Sequence, residues 1–176
     1  MGISQIINRY IENSKIKNRL CKWNKSAISV YISPVTGVIT NKDFFYSEVK
    51  IGIIKWNSIL KNIGIDLQFV IIDFPTGADI VIKWTKVGRV FEGMCKYVSI
   101  VDGCFRKISI DIGLPNEYSG KNTTDESIFF TIMHELGHAL GLGHGVEVDD
   151  LMYVPHQKNI SEPSENDLYV LKKIYE

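Results

Sequence analysis

The segment that most restricts what this chain can fold into is His134–His144, which reads HELGHALGLGH. His134 and His138 are four residues apart, so on a helix they lie on one face, about one turn from each other. Both imidazoles can then reach the same metal ion. The segment therefore predicts a helix that carries two ligands of a single metal site.

A third histidine, His144, follows where a straight helix would direct it away from the other two imidazoles. Gly141 provides the backbone freedom for a turn, because glycine enters left-handed conformations without a Cβ penalty. Three neutral nitrogen ligands leave the fourth coordination position open for water, which is typical of a catalytic zinc site. Glu135 is placed to take a proton from that water as a general base. The alternative is an ordinary helix with chance histidines, yet three of the four histidines fall in this motif.

Beyond this motif the sequence resembles the matrixin branch of the metzincin zinc peptidases. The segment Asp150-Leu151-Met152-Tyr153 places Met152 where matrixins have the methionine of their Met-turn. By that resemblance, Met152 lies beneath the zinc ligands as a hydrophobic base. The resemblance also implies a wall of the substrate pocket, for the residue after the scissile bond, formed by Tyr153, Val154 and Pro155. A loop that packs on the core is the alternative for these three residues.

The resemblance covers most of the chain. Ala78–Ile82 (ADIVI) is similar to a matrixin strand, and Ser164–Tyr175 is similar to the C-terminal helix of the family. We therefore expect an N-terminal extension over residues 1–22 and a matrixin-like metallopeptidase catalytic domain over residues 23–176. The likeness implies a minimal, prokaryote-style domain without accessory modules.

Three departures from the matrixin pattern refine these expectations. Residues 84–113 contain no histidine, whereas vertebrate matrixins hold a structural zinc ion there, so we expect one catalytic Zn²⁺ and no structural zinc. The sequence gives no argument for calcium. Gly145 and Glu147 stand where matrixins usually have serine and aspartate. Cys21 lacks the Cys-Gly step of the propeptide switch of the family, so we expect a partly buried structural thiol.

Hydrophobic periodicity outside the motif predicts an α+β chain with a metzincin, or zincin-like, fold. We expect a twisted mixed sheet of about five strands and three main helices, the second of which carries the zinc motif. Residues 1–25 are expected to form a short helical or loose extension. The predicted strands cover residues 27–32, 67–72, 78–84, 97–101 and 105–112. The predicted helices cover residues 42–62, 123–140 with a capping box from Thr123 to Glu126, and 164 onward with a second box from Ser164 to Asp167.

The pair Asp102-Gly103 predicts a tight two-residue turn between the last two strands. In that register Val101 lies opposite Cys104, and Cys95 lies opposite Ile110. The two sulfur atoms are then not neighbours. With an odd number of cysteines, this register predicts free thiols.

Composition restricts the partners of the chain. Lys+Arg and Asp+Glu both total 20, so there is no basic field for nucleic acid or anionic lipid. No apolar run approaches the roughly 18 residues of a membrane helix. The N-terminus lacks the apolar region of a signal peptide, which predicts a cytoplasmic protein if the chain is complete; the habits of the family favour secretion instead. We expect a monomer that acts on protein or peptide substrates.

These observations predict a zinc-dependent metalloendopeptidase with Glu135 as general base. The substrate is expected to lie extended along the sheet edge, near Tyr97–Val101 by the resemblance. Two alternatives remain open: a catalytically silent zinc-binding module, and a zinc hydrolase that acts on a non-protein substrate.

Overall fold

A computed structural model describes residues 2–36, 42–86, 93–114, 125–155 and 160–176. The helices are α1 (Ile3–Asn13), α2 (Lys42–Asn62), α3 (Asp125–Ala139) and α4 (Glu165–Tyr175). The strands are β1 (Lys15–Ile16), β2 (Arg19–Leu20), β3 (Ala27–Ile32), β4 (Gln68–Ile72), β5 (Ile80–Lys86), β6 (Gly93–Val101) and β7 (Cys104–Leu114). The predicted α+β class and the three main helices are confirmed, and α1 is a fourth helix among the described residues.

The main sheet has five strands in the order β4-β3-β5-β7-β6, as the expected mixed sheet requires. β3 pairs in parallel with β4 and β5, and β5 pairs in parallel with β7. β6 is antiparallel to β7 and forms one edge. A separate two-stranded ribbon, β1-β2, follows α1.

The hairpin between β6 and β7 has the predicted register. Val101 pairs with Cys104 and Cys95 pairs with Ile110 across the turn. The turn residues Asp102 and Gly103 both have positive φ, as a tight hairpin of this kind requires. All three cysteines are free, as expected, and Cys21 is buried.

The hydrophobic core lies where the helices meet each other and the sheet. α2 contacts α3, and α3 in turn contacts β6 and β7. The close approach of the two long helices depends on Gly52, where a Cβ atom would lie 2.7 Å from Cγ2 of Ile132. The indole of Trp56, fully buried, donates a hydrogen bond of 3.0 Å to the carbonyl oxygen of Met133. This packing fixes the position of the helix that carries the zinc motif.

The start of β6 differs from the prediction. β6 begins at Gly93 rather than at residue 97. The side chains of β6 are all half-buried or exposed, so the sequence lacks the alternation of buried and exposed residues that marks a strand. The length of β6 is set instead by its pairing with β7. The capping box of Ser164 and Asp167 is confirmed. Thr123, the predicted first cap of the motif helix, lies outside the described residues. Among the helices that the structure describes, none is long and apolar enough to cross a bilayer.

Candidate metal centre

The three histidines of the motif meet at the C-terminal end of α3. His134 and His138 lie one helical turn apart, with ring centroids separated by 4.6 Å. The ring of His144 lies 5.7 Å from the first ring and 4.9 Å from the second. One ligand atom from each residue lies within 4.8 Å of the others. The chain therefore brings all three predicted ligands into a geometry that could hold one metal ion.

The turn that returns His144 to the site is built on glycine. Gly141 has φ +103°, a conformation that side chains with a Cβ rarely adopt. The backbone N–H of Gly141 donates to the carbonyl oxygen of His138 at 2.9 Å, and the N–H of Leu142 donates to Gly137 at 3.1 Å. The chain thus leaves α3 and turns at the glycine that the sequence indicated.

Backbone carbonyl groups orient two of the histidine rings. Nδ1 of His134 lies 3.0 Å from the carbonyl oxygen of Leu151, and Nδ1 of His138 lies 2.7 Å from that of Leu142. Because a carbonyl oxygen only accepts, these contacts assign the proton of each ring to Nδ1. The lone pair of a neutral imidazole is then on Nε2, the form in which histidine binds zinc.

Glu135 lies beside these ligands and is buried, with only 4% of its surface exposed. Burial raises the pKa of Glu135 to about 8, although the backbone N–H of Cys95 donates to the carboxylate and partly opposes the rise. Within the part of the chain that the structure describes, Oε2 has no hydrogen-bond partner. A buried, unsatisfied carboxylate oxygen costs folding free energy, and such groups concentrate at functional sites.

The edge strand β6 contacts the site from one side. A Cβ atom on Gly93 would lie 2.8 Å from Oε1 of Glu135, so the glycine lets the strand approach the carboxylate. Further along β6, the hydroxyl of Tyr97 donates to the carbonyl oxygen of His138 at 3.3 Å. Burial raises the pKa of Tyr97, which keeps its hydroxyl protonated as a donor. The backbone of β6 is thereby fixed against the end of α3.

Met152 packs against the backbone of α3. Its side chain is fully buried, and a Cβ atom on Gly137 would lie 2.4 Å from its sulfur. The sulfur therefore contacts the helix one residue before His138. Tyr153 is half-buried, and Val154 and Pro155 are exposed. The pocket wall that the resemblance assigns to these last three residues stays a prediction.

Sequence reasoning missed Asp150, a buried carboxylate that organises the loop after His144. It is only 2% exposed. It accepts four hydrogen bonds of 2.6 to 3.1 Å, from the backbone N–H groups of Val146 and Glu147 and from the side chains of Ser164 and Asn166. A Cβ atom on Gly145 would lie 2.6 Å from Cβ of this residue, so a serine at that position would collide with it. Glycine after the third histidine therefore follows from the position of the aspartate.

Asp167 is the second buried carboxylate near the site, and the sequence indicated it only as a helix cap. Its Oδ2 accepts from the backbone N–H groups of Leu151 at 2.7 Å and Ser164 at 2.8 Å, while Oδ1 accepts from the hydroxyl of Tyr10. Burial raises its pKa, and these hydrogen bonds lower it in part. Leu151 is also the residue whose carbonyl oxygen orients His134, so the carboxylate is linked to a ligand through the backbone of one residue.

Three histidines that could hold one metal ion therefore lie beside a buried glutamate on an α+β fold, an arrangement typical of zinc peptidases. The family model for matrixins matches residues 22–176 of the chain. The chain therefore belongs to the matrixin family, a group of zinc-dependent peptidases. No curated protein matches the chain significantly.

Proposed function

We propose that the protein is a zinc-dependent endopeptidase that hydrolyses internal peptide bonds of protein substrates. In this proposal the zinc ligands are His134, His138 and His144, and the general base is Glu135. The observation that carries the proposal is the carboxylate of Glu135, which lies buried beside the ligands, and one of its oxygens has no hydrogen-bond partner among the described residues. A metal-binding module without catalysis has no need for such a group.

The donor set fits zinc. Three imidazoles give nitrogen ligands, and the carbonyl partners of two rings hold Nε2 deprotonated and correctly oriented. Three protein ligands leave a coordination position for water, as in catalytic zinc sites. A bound zinc ion supplies Lewis-acid activation of that water and of the scissile carbonyl group. Met152, packed against Gly137, supports the ligand helix from its buried side.

The role of Glu135 follows from its hydrogen bonds. The N–H of Cys95 holds the carboxyl group in place, and the positive charge of a bound zinc ion would lower its raised pKa, so that the ionised Oε2 can accept a proton from the attacking water. The same residue then donates that proton to the leaving amine, which completes hydrolysis without another acid. A positioned acid–base group of this kind contributes about 10²- to 10⁴-fold to the rate.

The edge strand β6 is the surface on which we expect the substrate to bind. It pairs with β7 on one side only, and in the described sheet no strand pairs with its other side. An extended peptide can add to such an edge through backbone hydrogen bonds, while side-chain pockets give selectivity. Because Gly93 contacts Glu135 and Tyr97 contacts the end of α3, a peptide on this edge passes the reactive centre.

The test is digestion of a peptide library, read by mass spectrometry, with a metal chelator and with zinc added back. We expect the chelator to stop cleavage and zinc to restore it. Glu135→Ala should lower cleavage by about 10²- to 10⁴-fold while the protein still binds one zinc ion. Glu165→Ala, which removes an exposed carboxylate on α4, is the matched control and should cleave normally.

Cleavage that persists in the chelator, or in a clean preparation of Glu135→Ala, would contradict the proposal. Zinc binding without any peptide cleavage would favour one of two alternatives, a silent zinc-binding module or a hydrolase for non-protein substrates. A panel of ester and amide substrates separates them, because only the hydrolase would cleave a member of the panel.

A further inference from the structure

The N-terminal arm, defined as residues 2–23, packs against the turn that carries the third histidine. The indole N–H of Trp23 donates to the carbonyl oxygen of Ala139, the last residue of α3, at 2.8 Å. The carbonyl oxygen of Cys21 lies so close to Gly141 that a Cβ atom there would be 2.5 Å away. The arm therefore contacts the chain just where it leaves the ligand helix.

Two residues at the end of α1 hold the backbone on either side of the third ligand. The hydroxyl of Ser14, 2% exposed, donates to the carbonyl oxygen of Tyr10 at 3.0 Å. Its oxygen therefore directs a lone pair at the N–H of Gly143, which donates to it at 2.9 Å. The side-chain amide of Asn13 donates to the carbonyl oxygen of His144 at 2.9 Å. A Cβ atom on Gly143 would lie 2.1 Å from the backbone oxygen of Asn13, so the backbones of these two residues are in close contact.

A second connection runs from the arm to the first ligand. The hydroxyl of Tyr10, fully buried, donates to Asp167, and Asp167 accepts from the N–H of Leu151. The carbonyl oxygen of Leu151 in turn lies 3.0 Å from Nδ1 of His134. The end of α1 is thus linked by hydrogen bonds to the backbone that supports two ligands, directly at His144 and through Asp167 at His134.

We propose that the N-terminal arm is a positioning element of the metal site, with Asn13 and Ser14 as its positioning residues. The inference rests on the proposed zinc site. His144 is the exposed ligand of the three, and it lies between Gly143 and Gly145. A loop with glycine on both sides of a ligand has much conformational freedom to lose on binding. Contacts that fix this loop beforehand lower that cost, as preorganisation does in any binding site.

The test measures the zinc affinity of the full chain, by competition with a chromophoric chelator well below the unfolding temperature. Asn13→Ala and Ser14→Ala should each raise the Kd for zinc by about tenfold, the lower end of the effect of outer partners of metal ligands. Glu12→Ala is the matched control. It changes the preceding residue, whose exposed carboxylate pairs with Lys15 rather than with the loop, and should leave the Kd unchanged.

A second measurement separates positioning from simple stabilisation of the fold. Cobalt placed in the site should show an altered visible absorption in Asn13→Ala, because the geometry of one ligand changes. A purely structural role would lower the thermal midpoint of the metal-free protein and leave both the Kd and the cobalt spectrum as in Glu12→Ala.

Asn13→Ala is decisive because the residue is exposed, so its substitution keeps the protein folded even if Ser14→Ala does not. A Kd within twofold of the control for Asn13→Ala, with an unchanged cobalt spectrum, overturns the inference. If the unsubstituted protein binds no zinc, the proposed function fails instead, so the two failures are distinguishable.

Discussion

Nδ1 of His138 lies 2.7 Å from the carbonyl oxygen of Leu142, a residue of the turn that leads to His144. One short backbone segment therefore orients the second ligand and positions the third. The geometry of that turn is set by Gly141, which has φ +103°. The conformation of a single glycine is thus coupled to the orientation of two imidazoles.

Substitution of this glycine tests that coupling. Gly141→Ala places a Cβ atom in a left-handed conformation and 2.5 Å from the carbonyl oxygen of Cys21. We expect the free energy of unfolding of the metal-free protein to fall by about 2–4 kcal/mol, measured by urea denaturation. Gly64→Ala is the control, since that glycine also has positive φ but no atom within 4 Å of its Cβ position. Gly64→Ala should lower the free energy of unfolding by about 1 kcal/mol. Equal losses in the two variants would show that the contact with the arm contributes nothing.

Substitution of Asp150, which organises the loop after His144, should lower the free energy of unfolding about as much as Gly141→Ala does. Asp150→Ala removes an acceptor of four hydrogen bonds and leaves two backbone N–H groups without their partner. We expect a loss of about 3 kcal/mol in the free energy of unfolding, because hydrogen bonds to charged groups contribute about 1.5–3 kcal/mol each and do not add fully. Asp149→Ala, at the exposed neighbouring position, should change it by less than about 0.5 kcal/mol. Similar urea midpoints for the two variants would refute the role of the buried carboxylate.

Removal of the metal gives a third prediction. A ligand that binds only the folded state stabilises it by about 4 kcal/mol at a concentration a thousand times its Kd. The thermal midpoint of the protein should therefore fall when zinc is chelated and recover when zinc is returned. His144→Ala should abolish most of this zinc-dependent rise and leave the midpoint of the metal-free protein nearly unchanged, because the side chain is exposed. A full zinc-dependent rise in that variant would exclude His144 as a ligand.

The parts of this architecture that the sequence predicted depend on local rules. The spacing of His134 and His138 fixes a helix face, and Asp102-Gly103 fixes a hairpin register, so neither requires knowledge of the rest of the fold. Asp150 is different. A buried carboxylate such as this one is stable only when other segments of the chain place hydrogen-bond donors around it. A short sequence motif does not show which segments will lie next to it in the fold.

The role of the N-terminal arm could not be predicted from the sequence for the same reason. Its hydrogen bonds with Gly143 and His144 are made by Asn13 and Ser14, small polar residues that are common at helix ends. Their partners are backbone groups more than a hundred residues away, and any sequence can provide a backbone group. Gly141 and Gly143 are the traces that the sequence carries, because their missing Cβ atoms make room for the arm.

The last prediction concerns Asp79, a residue of the strand segment that resembles the family. Burial raises its pKa, but the ammonium group of Lys25 and the backbone N–H and hydroxyl of Ser29 more than offset this, so the pKa is lowered overall. These donors lie 2.7 to 2.8 Å from the carboxylate oxygens. The folded state therefore binds a proton less readily than the unfolded state does. The resulting stabilisation is present above the unfolded pKa of about 3.9 and is lost as the pH falls through the lower pKa of the folded protein.

Asp79→Asn should accordingly be less stable than the unsubstituted protein at pH 7, by about 1–2 kcal/mol in urea denaturation. The difference should narrow as the pH falls below about 4, where the unfolded chain binds the proton first, and should be smallest below the lower pKa of the folded protein, where the neutral carboxyl group resembles the amide. Because Lys25 is partly exposed, about 1 M salt should reduce the difference at pH 7 without removing it. Asp73→Asn, at an exposed position, is the control and should follow the unsubstituted protein across the series. A difference between Asp79→Asn and the unsubstituted protein that stays constant down to pH 3 would mean that packing of the side chain, rather than its charge, stabilises this end of the sheet.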